Sequence, residues 1–323
     1  MSLSPTRRCV LVSAAAALFR RPAPAQQEPV FSTEVKVVNV LATVRDRKGA
    51  FITNLSRDDF AIAEDSHPQD IRYFARETDL PLTLGLMVDT SASQRRMMDA
   101  ERSASYRFFE RVLREDKDQA FIVQFDSAVQ VRQALTSSLR KLEDALQYVD
   151  TETLQQLRIQ QGGGTLLYDA IAQASTDIMM SPAAGDGAQN RRRRRALVLL
   201  TDGVDVGSYG STDEAIAAAQ RADTLVFSIL YSDPGAYGIF GGPNGRGVLQ
   251  KISGQTGGDL FEVSRKTSLD QIFSDLETEL RSQYSIGYVS DHPVTLSEFR
   301  NVYLAVKPKN LVVEYRHRYW AKR

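Results

Sequence analysis

The spacing of hydrophobic residues divides the chain into three stretches with different periods. From residue 30 to 79 the period is two. Val38, Val40, Ala42 and Val44 alternate with Asn39, Leu41, Thr43 and Arg45, as in a half-buried strand. Asp46-Arg47-Lys48-Gly49 supplies turn chemistry, and residues 60–63 and 71–74 read as two further short strands. From residue 82 to 282 near-continuous apolar runs (82–88, 120–125, 196–200, 224–230 and 260–263) alternate with amphipathic helical patterns at about 94–113, 139–149, 166–179, 213–221, 248–256 and 269–281. Apolar strands between amphipathic helices predict a doubly wound α/β domain, its mostly parallel sheet flanked by helices on both faces. Residues 128–131 read as an antiparallel partner on the sheet edge. After residue 283 period two returns at 284–289, 302–306 and 311–319, with Val313, Tyr315, His317 and Tyr319 on one face of a single last strand. So few strands do not stand alone. Segments 30–79 and 283–323 are therefore expected to pack together as a small β-sandwich-like region, with the domain of residues 80–282 inserted between them.

The first 25 residues differ from all of this. Arg7-Arg8, an apolar stretch over residues 10–19 and Ala23-Pro24-Ala25 form the basic, apolar and small-residue regions of a secretory signal peptide, too short to span a membrane. Thr6-Arg7-Arg8-Cys9-Val10-Leu11 fits a twin-arginine signal as well as a Sec signal. Cys9 is the one cysteine of the chain, so cleavage after Ala25 leaves a protein without disulfides or thiolate chemistry. The expectation is an exported, periplasmic or secreted protein of bacterial origin with no transmembrane segment. Forty basic residues balance forty acidic ones among 323, which removes any global electrostatic reason to expect nucleic acid or a membrane surface as partner.

Chemistry gathers where three predicted elements end. Asp89-Thr90-Ser91-Ala92-Ser93 closes the apolar run 82–88, Thr201-Asp202-Gly203 closes 196–200, and Gly162-Gly163-Gly164-Thr165 precedes a helix. In an open parallel sheet the carboxyl ends of the strands form the ligand-binding rim. A carboxylate with alternating hydroxyls offers hard oxygen ligands suited to Mg²⁺. Each residue also has a plainer use: Ser91, Ser93 and Thr165 can cap helices, and Asp202-Gly203 is ordinary turn chemistry. Asp205 and Asp169 read as supporting or capping residues.

These residues resemble the von Willebrand factor A (vWA) domain and its metal-ion-dependent adhesion site, D-x-S-x-S followed by a threonine and an aspartate on separate loops. Asp89, Ser91, Ser93, Thr165 and Asp202 fill all five places, and the resemblance covers about residues 81 to 282. The flanks, with Asp58-Asp59-Phe60 before and Gln283-Tyr284-Ser285-Ile286-Gly287-Tyr288 after, resemble the bacterial VWFA-related family. The resemblance implies a divalent cation (Mg²⁺, with Mn²⁺ or Ca²⁺ as substitutes) held by those five residues. It also implies capture of an Asp or Glu side chain from a protein partner, with no catalysis. A metal-assisted hydrolase is the first rival, weakened by the lack of a histidine or other base near the motif. The second rival is a partner subunit of an ATPase-linked assembly.

Other features carry less. Arg191 to Arg195 read as a solvated loop edge, and Gly235 to Gly247 as a flexible connection near the rim. His67, His292 and His317 all fall in the β segments without zinc-helix spacing. Tyr315, Tyr319 and Trp320 read as the buried face and end of the last strand.

Overall fold

The computed structural model describes residues 37–76, 80–151, 164–184, 193–231, 244–292 and 294–322. The proposed signal peptide lies outside them. Among the described residues no helix is long and apolar enough to cross a membrane.

The alternating region forms a six-stranded sheet from β5 (Leu82–Asp89), β6 (Gln119–Phe125), β7 (Val129–Thr136), β8 (Arg194–Thr201), β9 (Thr224–Leu230) and β10 (Leu260–Glu262), ordered β10-β9-β8-β5-β6-β7. All neighbours pair in parallel except β7, which runs antiparallel to β6 at the edge. The expected mostly parallel, doubly wound sheet is therefore present. It is covered by α1 (Met98–Val112), α2 (Leu139–Leu146), α3 (Leu167–Gln173), α4 (Thr212–Arg221), α5 (Gly245–Thr256) and α6 (Leu269–Arg281). Alternate residues of one strand feed opposite faces. Leu84, Leu86 and Val88 of β5 join α1 and α6 in one core, and Met87 joins α3, α4 and α5 in the other. Burial on both faces is why these strands read as continuous apolar runs.

The flanking segments make two antiparallel sheets. β1 (Val37–Asp46), β4 (Ile71–Arg76), β11 (Tyr284–Val289) and β13 (Leu311–Tyr315) are ordered β13-β1-β11-β4; β2 (Phe60–Glu64), β3 (His67–Gln69), β12 (Glu298–Val306) and β14 (Arg318–Ala321) are ordered β14-β12-β2-β3. Their inward faces share one core that includes Val40, Phe60, Ile62, Tyr284, Tyr288 and Val302. Tyr284 is a buried strut in it. Its hydroxyl accepts the Leu55 N–H at 3.0 Å and donates to the Ile52 carbonyl at 2.7 Å. Tyr284→Phe leaves both backbone groups unpaired and is expected to cost about 1–3 kcal/mol, read as a lower urea midpoint at unchanged m-value.

Two expectations are corrected here. The single strand 311–319 is two strands in different sheets: β13 pairs with β1 and β14 with β12. Arg316 lies at the crossing and anchors it by an ion pair to Asp223. Tyr315 and Tyr319 are buried as expected, but on separate strands, and Trp320 is only partly buried, packed edge-on to Phe299 at 4.8 Å. The arginine run is not a solvated edge where the structure describes it; Arg191 and Arg192 lie outside the described residues. Arg193 donates to the Thr83 hydroxyl and the Leu82 carbonyl, both at 3.0 Å. Arg194 is buried at the start of β8 and donates to the Leu280 carbonyl, while Arg195 reaches the Ala222 carbonyl at 3.1 Å. Leu280 and Ala222 stand at the carboxyl-terminal ends of α6 and α4, where unpaired carbonyls and the helix dipole favour cations.

Candidate functional site

The strand order reverses between β5 and β8. The chain leaves β5 towards β6 on one side and returns to β8 on the other. At such a switch point the two departing loops part and leave a crevice at the carboxyl edge. Register sets what lies there: Val88 pairs with Leu200, so Asp89 and Thr201 end adjacent strands at one level. The Thr201 hydroxyl donates to Asp89 Oδ2 at 2.6 Å, and the Ser91 N–H donates to Asp89 Oδ1 at 2.9 Å. Thr90 is buried and donates to Asp126 Oδ2 at 2.7 Å, tying the loop to the end of β6.

Asp89 is wholly buried. Burial pushes its carboxyl up to about 7; hydrogen bonds from Ser91 and Thr201 oppose the rise, and the nearby charge of Asp202 adds to it. The Ser91 and Ser93 hydroxyl oxygens lie 3.0 Å apart, and the Ser93 hydroxyl donates to Asp202 Oδ2 at 2.9 Å. Asp202 Oδ1 accepts the Val204 N–H at 3.0 Å. One chain of oxygens thus runs from the β5 loop to the β8 loop.

Thr165 joins by its backbone, exchanging two 2.9 Å hydrogen bonds with Val206, four residues beyond Asp202. Its neighbour Leu166 donates to the Asp126 carbonyl at 2.8 Å. Glycine is required at 203, where φ is +78° and a Cβ would meet the Gly245 carbonyl at 2.5 Å. That contact seats the β8 loop against the start of α5.

The hydroxyls do not cap helices. Ser91 precedes the 3₁₀ turn Ala92–Gln94 without a side-chain cap bond, and α1 begins only at Met98. α3 is capped by neither Leu166 nor Thr165, whose hydroxyl has no partner among the described residues. Asp205 and Ser208 supply the first turn of α3 instead, accepting the N–H groups of Tyr168 at 3.2 Å and Asp169 at 3.3 Å. Asp169 in turn accepts Tyr209 and Gly210 N–H, each at 2.9 Å. Both acids are thus supporting residues, in line with the sequence reading.

The donor set fits a small hard cation. Oxygens 2.9–3.0 Å apart match adjacent corners of an octahedron with bonds of about 2.1 Å, the Mg²⁺ geometry. Among the described residues no group of three or more His, Cys, Asp or Glu side chains is set to hold a metal; this constellation depends on hydroxyls.

Sequence reasoning passed over Thr201 and Thr90. Aligning the ends of the runs 82–88 and 196–200 would have shown Thr201 beside Asp89. It also missed Glu101 of α1, buried with neither carboxyl oxygen partnered. Burial, and then the charge of Asp89, raise its carboxyl well above the usual range, and nothing in the local pattern marks it. Of the glycine-rich stretch from Gly235, residues up to 243 lie outside the described residues. Beyond them Asn244 caps α5, its Oδ1 accepting Gly247 N–H at 3.0 Å, so 245–247 is helix rather than connection. A groove of about 560 Å³ opens here beside Asp202, lined by Tyr168, Val204, Val206, Val248 and Lys251 among others.

Comparison with known proteins agrees with this architecture. Residues 84–204 match the model of the von Willebrand factor type A domain, and the chain carries a vWA domain. Among solved structures it is similar to a conserved hypothetical protein, BatB, from Bacteroides thetaiotaomicron (17% identity, 62% of this chain and 100% of that one, TM-score 0.43). It is also similar to proximal thread matrix protein 1 of the mussel byssus, solved with a zinc-occupied MIDAS motif (13% identity, 68% of this chain and 50% of that one, TM-score 0.50). At this identity the likeness to the mussel protein shows the fold alone, and the match spans about half of that protein's length. No curated protein matches the chain.

Proposed function

We propose that this is an exported, non-enzymatic protein-binding module that captures an acidic side chain of a partner through a divalent cation, Mg²⁺ by preference, held at Asp89, Ser91, Ser93, Thr165 and Asp202. One observation carries the reading: Ser91 caps no helix, and its hydroxyl and that of Ser93 instead form one chain of oxygens leading from the Asp89 loop to Asp202, with the Thr165 hydroxyl, which caps no helix either, on the adjoining loop. A ligand set of neutral hydroxyls leaves positive charge on a bound cation, and that charge attracts a carboxylate from outside. The surrounding surface supplies the rest of the affinity. Val206 (53% exposed) and Tyr209 (100% exposed) stand beside the crevice as apolar contacts for such a partner.

The hydrolase reading has less support. All three histidines lie in the flanking β segments and none on the loops that carry Asp89, Thr165 and Asp202, where a general base would be needed. Export rests on the signal-like residues 1–25, and fractionation of the native host tests it.

The binding model is tested by capture from host envelope extract in Mg²⁺ and again in EDTA, using wild type, Asp89→Ala and Ser91→Ala. Partner retention in Mg²⁺ alone, lost in both variants, is the expected outcome. Equal retention in EDTA overturns metal dependence.

A further inference from the structure

Two of the three histidines, 225 positions apart in sequence, meet at the open edge of the second sandwich sheet. His67 begins the edge strand β3, and His292 follows β11. Their ring centres are 4.6 Å apart with the planes inclined at 54°, and both residues are exposed. Two imidazoles bonded to one Zn²⁺ at about 2.1 Å have ring centres about 4.5–5.5 Å apart, so this spacing suits one shared ion.

The backbone under each ring is held by the same buried pair. Glu64 stands opposite His67 in the β2–β3 ladder and is ion-paired at 2.9 Å with Arg300, which also donates to the His292 carbonyl at 2.9 Å. Glu64 and Arg300 are only 1% and 5% exposed. The His292 ring is oriented too, with Nδ1 2.8 Å from Asp291 Oδ1. Gln69 fixes that carboxylate by donating to it at 2.6 Å. A carboxylate on Nδ1 sets the tautomer, leaves the Nε2 lone pair available to a cation, and strengthens the imidazole as a ligand.

We infer that His67 and His292 form an open two-imidazole site for a borderline divalent cation such as Zn²⁺, distinct from the hard-oxygen crevice, with Asp291 as its orienting carboxylate. Imidazole selects Zn²⁺, Cu²⁺ or Ni²⁺ over Mg²⁺. With two protein ligands the remaining positions belong to water or to a donor from a second molecule. Bound metal would staple β3 to the segment after β11 and close a sheet edge otherwise open to pairing.

The test is calorimetric titration of the full chain with ZnCl₂ in excess Mg²⁺, which competes for the oxygen crevice. His67→Ala and His292→Ala are each expected to weaken Zn²⁺ binding at least tenfold, and Asp291→Asn by about 10- to 100-fold. His317→Ala and Asp202→Asn should leave it unchanged. His67, His292 and Asp291 are exposed, so their variants should melt as wild type in EDTA. Zn²⁺ affinity unaltered in His67→Ala and His292→Ala, or abolished by Asp202→Asn or His317→Ala, overturns the site.

Discussion

Asp202→Asn is expected to weaken Mg²⁺ binding by about 30- to 100-fold while leaving the melting temperature in EDTA nearly unchanged. The asparagine carbonyl can still accept the Val204 N–H, and the Ser93 hydroxyl, which now donates to Asp202 Oδ2, can rotate to accept from the new amide. The loops therefore keep their connection. What disappears is one of two carboxylate charges at the crevice, worth about 2–3 kcal/mol for a charged interaction of this kind. Ser93→Ala is the complementary change. It keeps both charges but removes the oxygen that joins the β5 loop to the β8 loop, and about tenfold weaker binding is expected. Calorimetry with MgCl₂ on the two variants reads both effects. A change below about threefold in Asp202→Asn removes that residue from the proposed cation site.

Stability is expected to fall as pH rises from about 5 to 9, and Glu279→Gln should remove most of that slope. Glu279 on α6 is fully buried, and one of its oxygens has no partner. Arg45 of β1 donates to the other at 2.6 Å but also lies 3.4 Å from Asp259 and 3.6 Å from Glu314. Burial pushes the Glu279 carboxyl up to about 8; Arg45 opposes the rise, and the Asp259 and Glu314 charges add to it. A single guanidinium shared among three carboxylates does not hold this one charged. In the unfolded chain Glu279 ionises near 4.5, whereas in the folded protein it keeps its proton to about 8. The folded state thus binds more protons across that window, and unfolding becomes easier as pH rises through it. The shift bounds the effect at about 5 kcal/mol, and Glu314, also raised by burial, acts in the same direction. Urea unfolding at pH 5.5, 7 and 8.5 checks this. A Glu279→Gln variant with the wild-type slope would show that another group carries the dependence.

Much of the α/β region was legible because its signals are local. Strand β9 and helix α6 have the bounds that their periodicity predicts, and β7 lies on the edge as the short run 128–131 suggested. The helix predicted from residue 94 instead begins at Met98. Residues 92–94 are spent on a 3₁₀ turn that brings Ser93 to Asp202, a use of backbone that hydrophobic spacing does not encode. At the far end, period two runs on through residues 311–319 although the chain changes sheets within it. Alternation records which side of a strand is buried but not which sheet buries it.

By itself the sequence determined the alternation of strands and helices, the placement of Asp89 and Asp202 at strand ends, and the five-residue pattern matching the vWA site. All of these follow from periods of two or 3.6 residues and from short motifs, set by neighbours along the chain. Only the tertiary structure decided that Thr201 supports Asp89, that Arg45 is shared by three acids, that Arg193 to Arg195 bind carbonyls instead of facing water, and that His67 meets His292. Those contacts join residues up to 269 positions apart, and their chemistry depends on sheet order, register and burial, which no local spacing carries.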